Sequence, residues 1–301
     1  MKTKPARLLL ACAAAFVSLQ LGGCANQPTQ LHAAESLQYG NPMKKVAVLG
    51  TGHIFLMGMS DDKKTFIGLE DSKKAVEGQV RGVKDELKQL GYKVAYAEPV
   101  GIGYGDWQAD GAERWVDANG KKRQVTGDAP AFVYPSVAAN ARYRNAVGQE
   151  FIKIAAMLGK GDIGKYAPQK ADLKTIQQAT GADTICFMTV YGYKYSSGQK
   201  EASTAENVGG AIFGLFSPIT IQSNLPDDSV HTSLICSQAK TGQVMWQSIA
   251  DLDSPPATGP AAGYYQSFLN TFPKKGAKIT SKCTFSDKAA SVYDCTEDSS
   301  N

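Results

Sequence analysis

The chain has 301 residues, 43% of them hydrophobic and 20% charged, with 32 Lys and Arg against 28 Asp and Glu. That is the composition of a globular protein with enough apolar surface for a sizeable core, and it excludes disordered, collagen-like and cysteine-dense scaffolds. Lys2, Lys4 and Arg7 supply most of the net charge of +4; without residues 1–23 it is +1, so no nucleic-acid partner is expected.

The chain opens in the order charge, apolar run, small residues. Lys2, Lys4 and Arg7 precede residues 8–21, where only Ser18 and Gln20 are polar, and Leu21-Gly22-Gly23-Cys24 follows. This is the order of a secretory signal, and the apolar run is too short for a stable membrane-spanning helix. The last four residues resemble the lipobox of bacterial lipoproteins. The resemblance implies cleavage between Gly23 and Cys24 and diacylation of the Cys24 thiol, the nucleophile that takes the lipid; the alternative is an ordinary cleaved signal with a chance cysteine. Ala25 stands where an aspartate commonly retains such proteins at the inner membrane, which implies an outer-membrane location facing the periplasm. Three acyl chains, at about 0.8 kcal/mol per buried methylene, make attachment effectively permanent.

Beyond the signal, residues 24–43 lack periodicity, contain Pro28 and Pro42, and read as the lipid anchor and a flexible tether spanning ~25 Å. A strand is predicted over 45–49, ended by Gly50 and Gly52. The spacing of Ala75, Val76, Val80, Val83, Leu87 and Leu90 predicts a helix over 72–90, with Ser72 as its cap, Gly91 as its stop, and Gly78 and Gly82 allowing close approach to a sheet. A second strand covers 92–98. Residues 101–135 form an elaborated loop. Helices follow over 137–158 and 171–180, then a strand over 184–193. Residues 194–229 are an insertion holding the apolar run 208–221. Strands over 232–239 and 243–250 are joined at Lys240-Thr241-Gly242, and a last helix spans 263–272 before Pro273. No internal repeat is evident.

This order predicts an α/β protein: a single mixed β-sheet of about five strands with helices packed against it, and a C-terminal β-hairpin followed by a helix. One domain over 44–275 is expected, with insertions near 101–135 and 203–229 and a polar cysteine-bearing tail over 276–301. Residues 45–49 (KVAVL), 173–190 with Gly181-Ala182-Asp183, and 239–246 (AKTGQVMW) resemble three groups of envelope proteins. These are the amino-terminal domain of the TolB protein, the curli-secretion lipoprotein, and the outer-membrane activator lipoproteins of peptidoglycan synthases. The resemblance covers about half the mature chain and implies a shared fold.

Of the cysteines left after the anchor, Cys283 and Cys295 are the expected disulfide, because both lie in the polar tail. They would close a short loop worth about 3 kcal/mol at most. Cys186 and Cys236 fall in two predicted strands, where a bond and two reduced buried thiols are both open. There is no CxxC, and His32, His53 and His231 lack ligand spacing, so neither a metal nor another cofactor is expected.

Catalytic motifs are absent or incomplete. Gly50-Thr51-Gly52 superficially resembles a dinucleotide loop, but Phe55 stands where the third glycine is needed. Two Ser-x-x-Lys matches (Ser60 with Lys63, Ser197 with Lys200) lie in charged or polar surroundings, and Lys240-Thr241-Gly242 is accounted for by its turn. Two surfaces stand out instead. Tyr191, Tyr193 and Tyr195 share a strand face, as aromatic packing or as a partner or glycan platform. The apolar run with Ile212, Phe213, Leu215 and Phe216 covers the core, contacts a partner, or dips into the membrane. The function expected is that of a non-catalytic, lipid-anchored periplasmic module that binds another envelope protein or copies of itself. The alternatives are a subunit of an outer-membrane pore and, third, a cell-wall enzyme.

Overall fold

The computed structural model describes residues 29–33, 42–57, 66–104, 113–116, 119, 121–125, 130–195, 229–252, 263–273, 282–285 and 293–296. Gly23, Cys24, Ile212, Phe213, Leu215 and Phe216 lie outside them, as do the whole signal (1–23) and the whole apolar run 208–221.

Five long strands form the centre of the molecule: β2 (Lys45–Met57), β4 (Lys93–Pro99), β9 (Thr184–Tyr195), β10 (Ser229–Gln238) and β11 (Val244–Leu252). Their spatial order is β4-β2-β9-β10-β11. Strand β2 runs parallel to both β4 and β9, and the remaining pairs are antiparallel, so the sheet is mixed as expected. Four short strands extend it to nine: β1 (Thr29–Ala33) on the free side of β11, and β3 (Phe66–Gly68), β6 (Glu113–Val116) and β7 (Lys122–Val125) beyond the far half of β2. The short β5 (Gly101–Ile102) and β8 (Phe132–Val133) pair with each other.

Helices cover both faces, which is why the central strands read as unbroken apolar runs. In β2, Val46 and Val48 face one core while Ala47 and Leu49 face the other; in β9, Cys186 and Met188 oppose Ile185 and Phe187. The first core is closed by α1 (Leu69–Gln89) and the short α5 (Tyr264–Phe268), through Val76, Val80, Val83, Leu87 and Phe268. The second is closed by α2 (Pro135–Ala138), α3 (Ala141–Gly159) and α4 (Lys170–Thr180), through Val137, Val147, Phe151, Ile154, Leu173 and Ile176. Each fully buried side chain of this size contributes roughly 1.5–3 kcal/mol.

Several expectations need correction. Gly50 and Gly52 do not end the first strand, which continues to Met57. A Cβ on Gly50 would lie 2.3 Å from Val80 Cγ2, and one on Gly52, at φ 156°, would lie 1.8 Å from the Val190 carbonyl oxygen. These glycines mark close contact with α1 and β9, not a turn. Ser72 lies inside α1, which starts at Leu69; its hydroxyl donates to the Gly68 carbonyl and accepts from the Ile54 N–H at 2.9 Å, tying helix to strand. Gly82 makes room for the Tyr265 ring of α5 rather than for the sheet. The expected helix over 137–158 is two, α2 and α3, with Asn140 between them accepting from the Tyr143 N–H. The last helix is shortened to Tyr264–Phe268, and turns then carry Phe272 under Trp246, 4.9 Å from ring to ring.

The stretch expected to be tether also contributes structure. Thr29–Ala33 lies antiparallel along β11, Thr29 opposite Ile249 and Ala33 opposite Trp246, which covers a backbone edge that would otherwise be open. Gly181-Ala182-Asp183 gains a physical role. The Asp183 carboxylate accepts from the Lys44 and Lys45 N–H groups at 3.1 Å, locking the start of β2 beside β9. At the same end of the sheet, Thr241 holds the hairpin turn after β10 by donating to Gln238 Oε1 at 2.8 Å.

A disulfide joins Cys186 and Cys236, directly opposite each other on β9 and β10 and fully buried. Of the two outcomes open for these cysteines, the structure has the bond. Cys283 and Cys295 face each other in register on the two-stranded pair β12 (Lys282–Phe285) and β13 (Tyr293–Thr296).

Candidate partner-binding surfaces

Strand β9 places Tyr191, Tyr193 and Tyr195 beside His53, Phe55 and Met57 of β2. His53 meets the edges of Phe55 and Tyr191 at 4.5 and 4.9 Å, and Phe55 stacks on Tyr193 at 5.4 Å. Tyr193 is buried, so it belongs to a packed aromatic row rather than to a surface platform; Tyr191 and Tyr195 are partly exposed. The parallel neighbour causes this, by supplying Phe55 at the same register. His53 is fully buried, and burial lowers its pKa to about 3, so the imidazole is neutral. His231 and Tyr191 are directly paired across β10 and β9.

A second polar group, unanticipated from sequence, sits between α3 and α4. Glu150 is fully buried, accepting from Tyr166 Oη at 2.6 Å, Lys153 Nζ at 3.0 Å and the Gln169 N–H at 3.0 Å. Burial, then the Glu150 charge, raises the pKa of Asp172. The arrangement holds residues 166–169 onto α3. Among the described residues, no group of three or more His, Cys, Asp or Glu side chains is placed to hold a metal ion.

The third feature is an open groove of about 280 Å³ between α1 and β4, lined by Glu77, Val80, Arg81, Lys84, Ala97, Pro99 and Tyr134. Val80, Ala97, Pro99 and the Tyr134 ring make an apolar floor; Glu77, Arg81 and Lys84 make a charged rim. Tyr134 donates to Glu77 Oε1 at 2.8 Å, and burial followed by this carboxylate raises its pKa. Beside it, Lys73 Nζ lies 4.1 Å over the Phe132 ring. Strand β4 pairs only with β2 among the described residues, but Lys93, a register shift between Val94 and Tyr96, and Pro99 blunt its outer edge against indiscriminate strand addition.

The sequence motifs are dispersed. Gly50-Thr51-Gly52 is inside a strand, and Lys240-Thr241-Gly242 is a hairpin turn at the opposite end of the sheet from Tyr195. Ser60 and Ser197 lie outside the described residues.

No protein-family model matches this sequence, and no curated protein sequence matches it. Among solved structures, the chain is similar to a crystal structure of lipoprotein GNA1162 from Neisseria meningitidis. That similarity has 10% identity and a TM-score of 0.25, over 75% of this chain and 92% of the other. An overlap of that quality shows neither a common fold nor a common role.

Proposed function

We propose that this chain is an envelope lipoprotein, held at the outer membrane by acyl chains on Cys24, whose α/β body is a non-catalytic module binding another envelope protein or copies of itself. The observation that carries the reading is Leu21-Gly22-Gly23-Cys24 placed directly after a cationic start and an apolar run. The buried Cys186–Cys236 bond fits an oxidising compartment. The resemblance of the 45–49, 173–190 and 239–246 segments to TolB-like and curli-secretion domains supports an α/β body that works through protein contacts. The groove on α1 supplies a surface of suitable character.

Two measurements test it. Mass spectrometry of protein extracted from membranes should find acylated Cys24 as the first residue, and Cys24→Ala should leave the membrane fraction. A photo-cross-linking residue at Lys84 should give a discrete adduct in intact cells, with an envelope protein or a second copy, whereas one at Lys174 on the outside of α4 should not. An unacylated Cys24, or equal cross-linking at both positions, defeats the proposal.

A further inference from the structure

Strand β1 changes what the anchor can do. The 24–43 segment is not a tether of about twenty residues, because the chain is already in the sheet at Thr29. Only residues 25–28 separate Cys24 from the first paired residue, and five peptide units reach at most about 18 Å.

The direction of that short leash is defined. Thr29 lies opposite Ile249, and β1 runs from there toward Trp246, so the chain ahead of Thr29 leaves toward Leu252. From Ile249 to the end of β11 is about 10 Å at strand rise, well within reach; from Ile249 back to the Lys240-Thr241-Gly242 turn is about 24 Å, beyond it. A body anchored at Cys24 therefore cannot stand on that turn. The two ends of the sheet differ in a second way. At the Leu252 end, β2 and β9 finish and β10 begins, and the sequence between β9 and β10 includes the apolar run 208–221. At the other end the joins are tight, through Leu90–Tyr92 and Ala239–Gln243.

We infer that the anchored protein rests the Leu252 end of its sheet against the phospholipid bilayer and points the Lys240-Thr241-Gly242 turn away from it. This rests on the acylation of Cys24 proposed above. Native lysines report on both ends. Lys194, whose Nζ meets Asp71 Oδ1 at 2.7 Å, and Lys74 near the start of α1 lie at the inferred membrane end; Lys88, Lys93 and Lys240 lie at the far end.

The test compares acylated full-length protein in detergent micelles with the same protein in vesicles of phosphatidylethanolamine and a minority of phosphatidylglycerol. Exposure to an amine-acylating reagent is followed by peptide mass spectrometry. Labelling of Lys74 and Lys194 should slow several-fold on vesicles, while Lys88, Lys93 and Lys240 keep their micelle rates. Equal slowing at both ends, or slowing confined to Lys88, Lys93 and Lys240, overturns the orientation while leaving the anchor intact. A Cys24 peptide without acyl mass, with protein that fails to sediment with vesicles, fails the anchoring reading and the orientation with it.

Discussion

Reducing the Cys186–Cys236 bond gives the most quantitative test of the fold. The bond joins residues separated by 50 positions. Cross-linking a loop of that length lowers the entropy of the unfolded chain enough to stabilise the folded state by about 4 kcal/mol. Both cysteines are fully buried on adjacent central strands, so the folded sheet should survive reduction and the loss should fall on the unfolding equilibrium. For a domain of this size, with a urea dependence of about 2–3 kcal/mol per molar, the midpoint should drop by about 1.3–2 M. The assay is urea unfolding followed by Trp fluorescence, with and without reductant, reduction being verified by alkylation and mass spectrometry. A non-reduced digest should contain the two peptides linked to each other. Equal midpoints after verified reduction, or alkylation of Cys186 without reductant, would refute the reasoning.

Three further outcomes are expected. His53 ordinarily titrates near 6.5 but is held down to about 3 by burial, so below pH 6.5 the unfolded chain binds the extra proton. Stability should then fall with pH by up to about 1.4 kcal/mol per unit, and urea midpoints across that window should fall less steeply for His53→Leu. Gly52→Ala drives a methyl group into the Val190 carbonyl and should cost at least about 3 kcal/mol, whereas Gly78→Ala, with nothing within 4 Å of the added carbon, should raise the thermal midpoint through about 0.5–1 kcal/mol of helix propensity. Glu150→Ala leaves Tyr166, Lys153 and the Gln169 N–H without their acceptor; chemical denaturation should show a loss of about 3 kcal/mol or more, and a smaller one for Glu150→Gln.

The five central strands and the stripe of α1 were legible because burial on two faces and helical spacing leave unambiguous patterns in the residues themselves. Misreadings arose where one residue type serves two physical ends. Gly50 and Gly52 signal a turn or a tight contact equally well, and only the positions of Val80 and Val190 distinguish them. Ser72 suits a helix start, yet it sits one turn inside because Gly68 and Ile54 supply its partners. The short strands β1, β3, β6 and β7 carry too little pattern to stand alone and exist by virtue of their neighbours' edges. In the same way, the burial of Tyr193 depends on Phe55, and the Glu150 network joins residues brought together only by the α3–α4 packing. The cysteine pairing was open because spacing says nothing about register, and register places Cys186 against Cys236.

Strand β1 also has a mechanical consequence. A load applied to the chain ahead of Thr29 acts along the strand, so the hydrogen bonds from Thr29 opposite Ile249 to Ala33 opposite Trp246 bear it together in shear. A pull across the same ladder would break them one after another at far lower force. A pull on the N-terminus is therefore met first by the β1–β11 ladder.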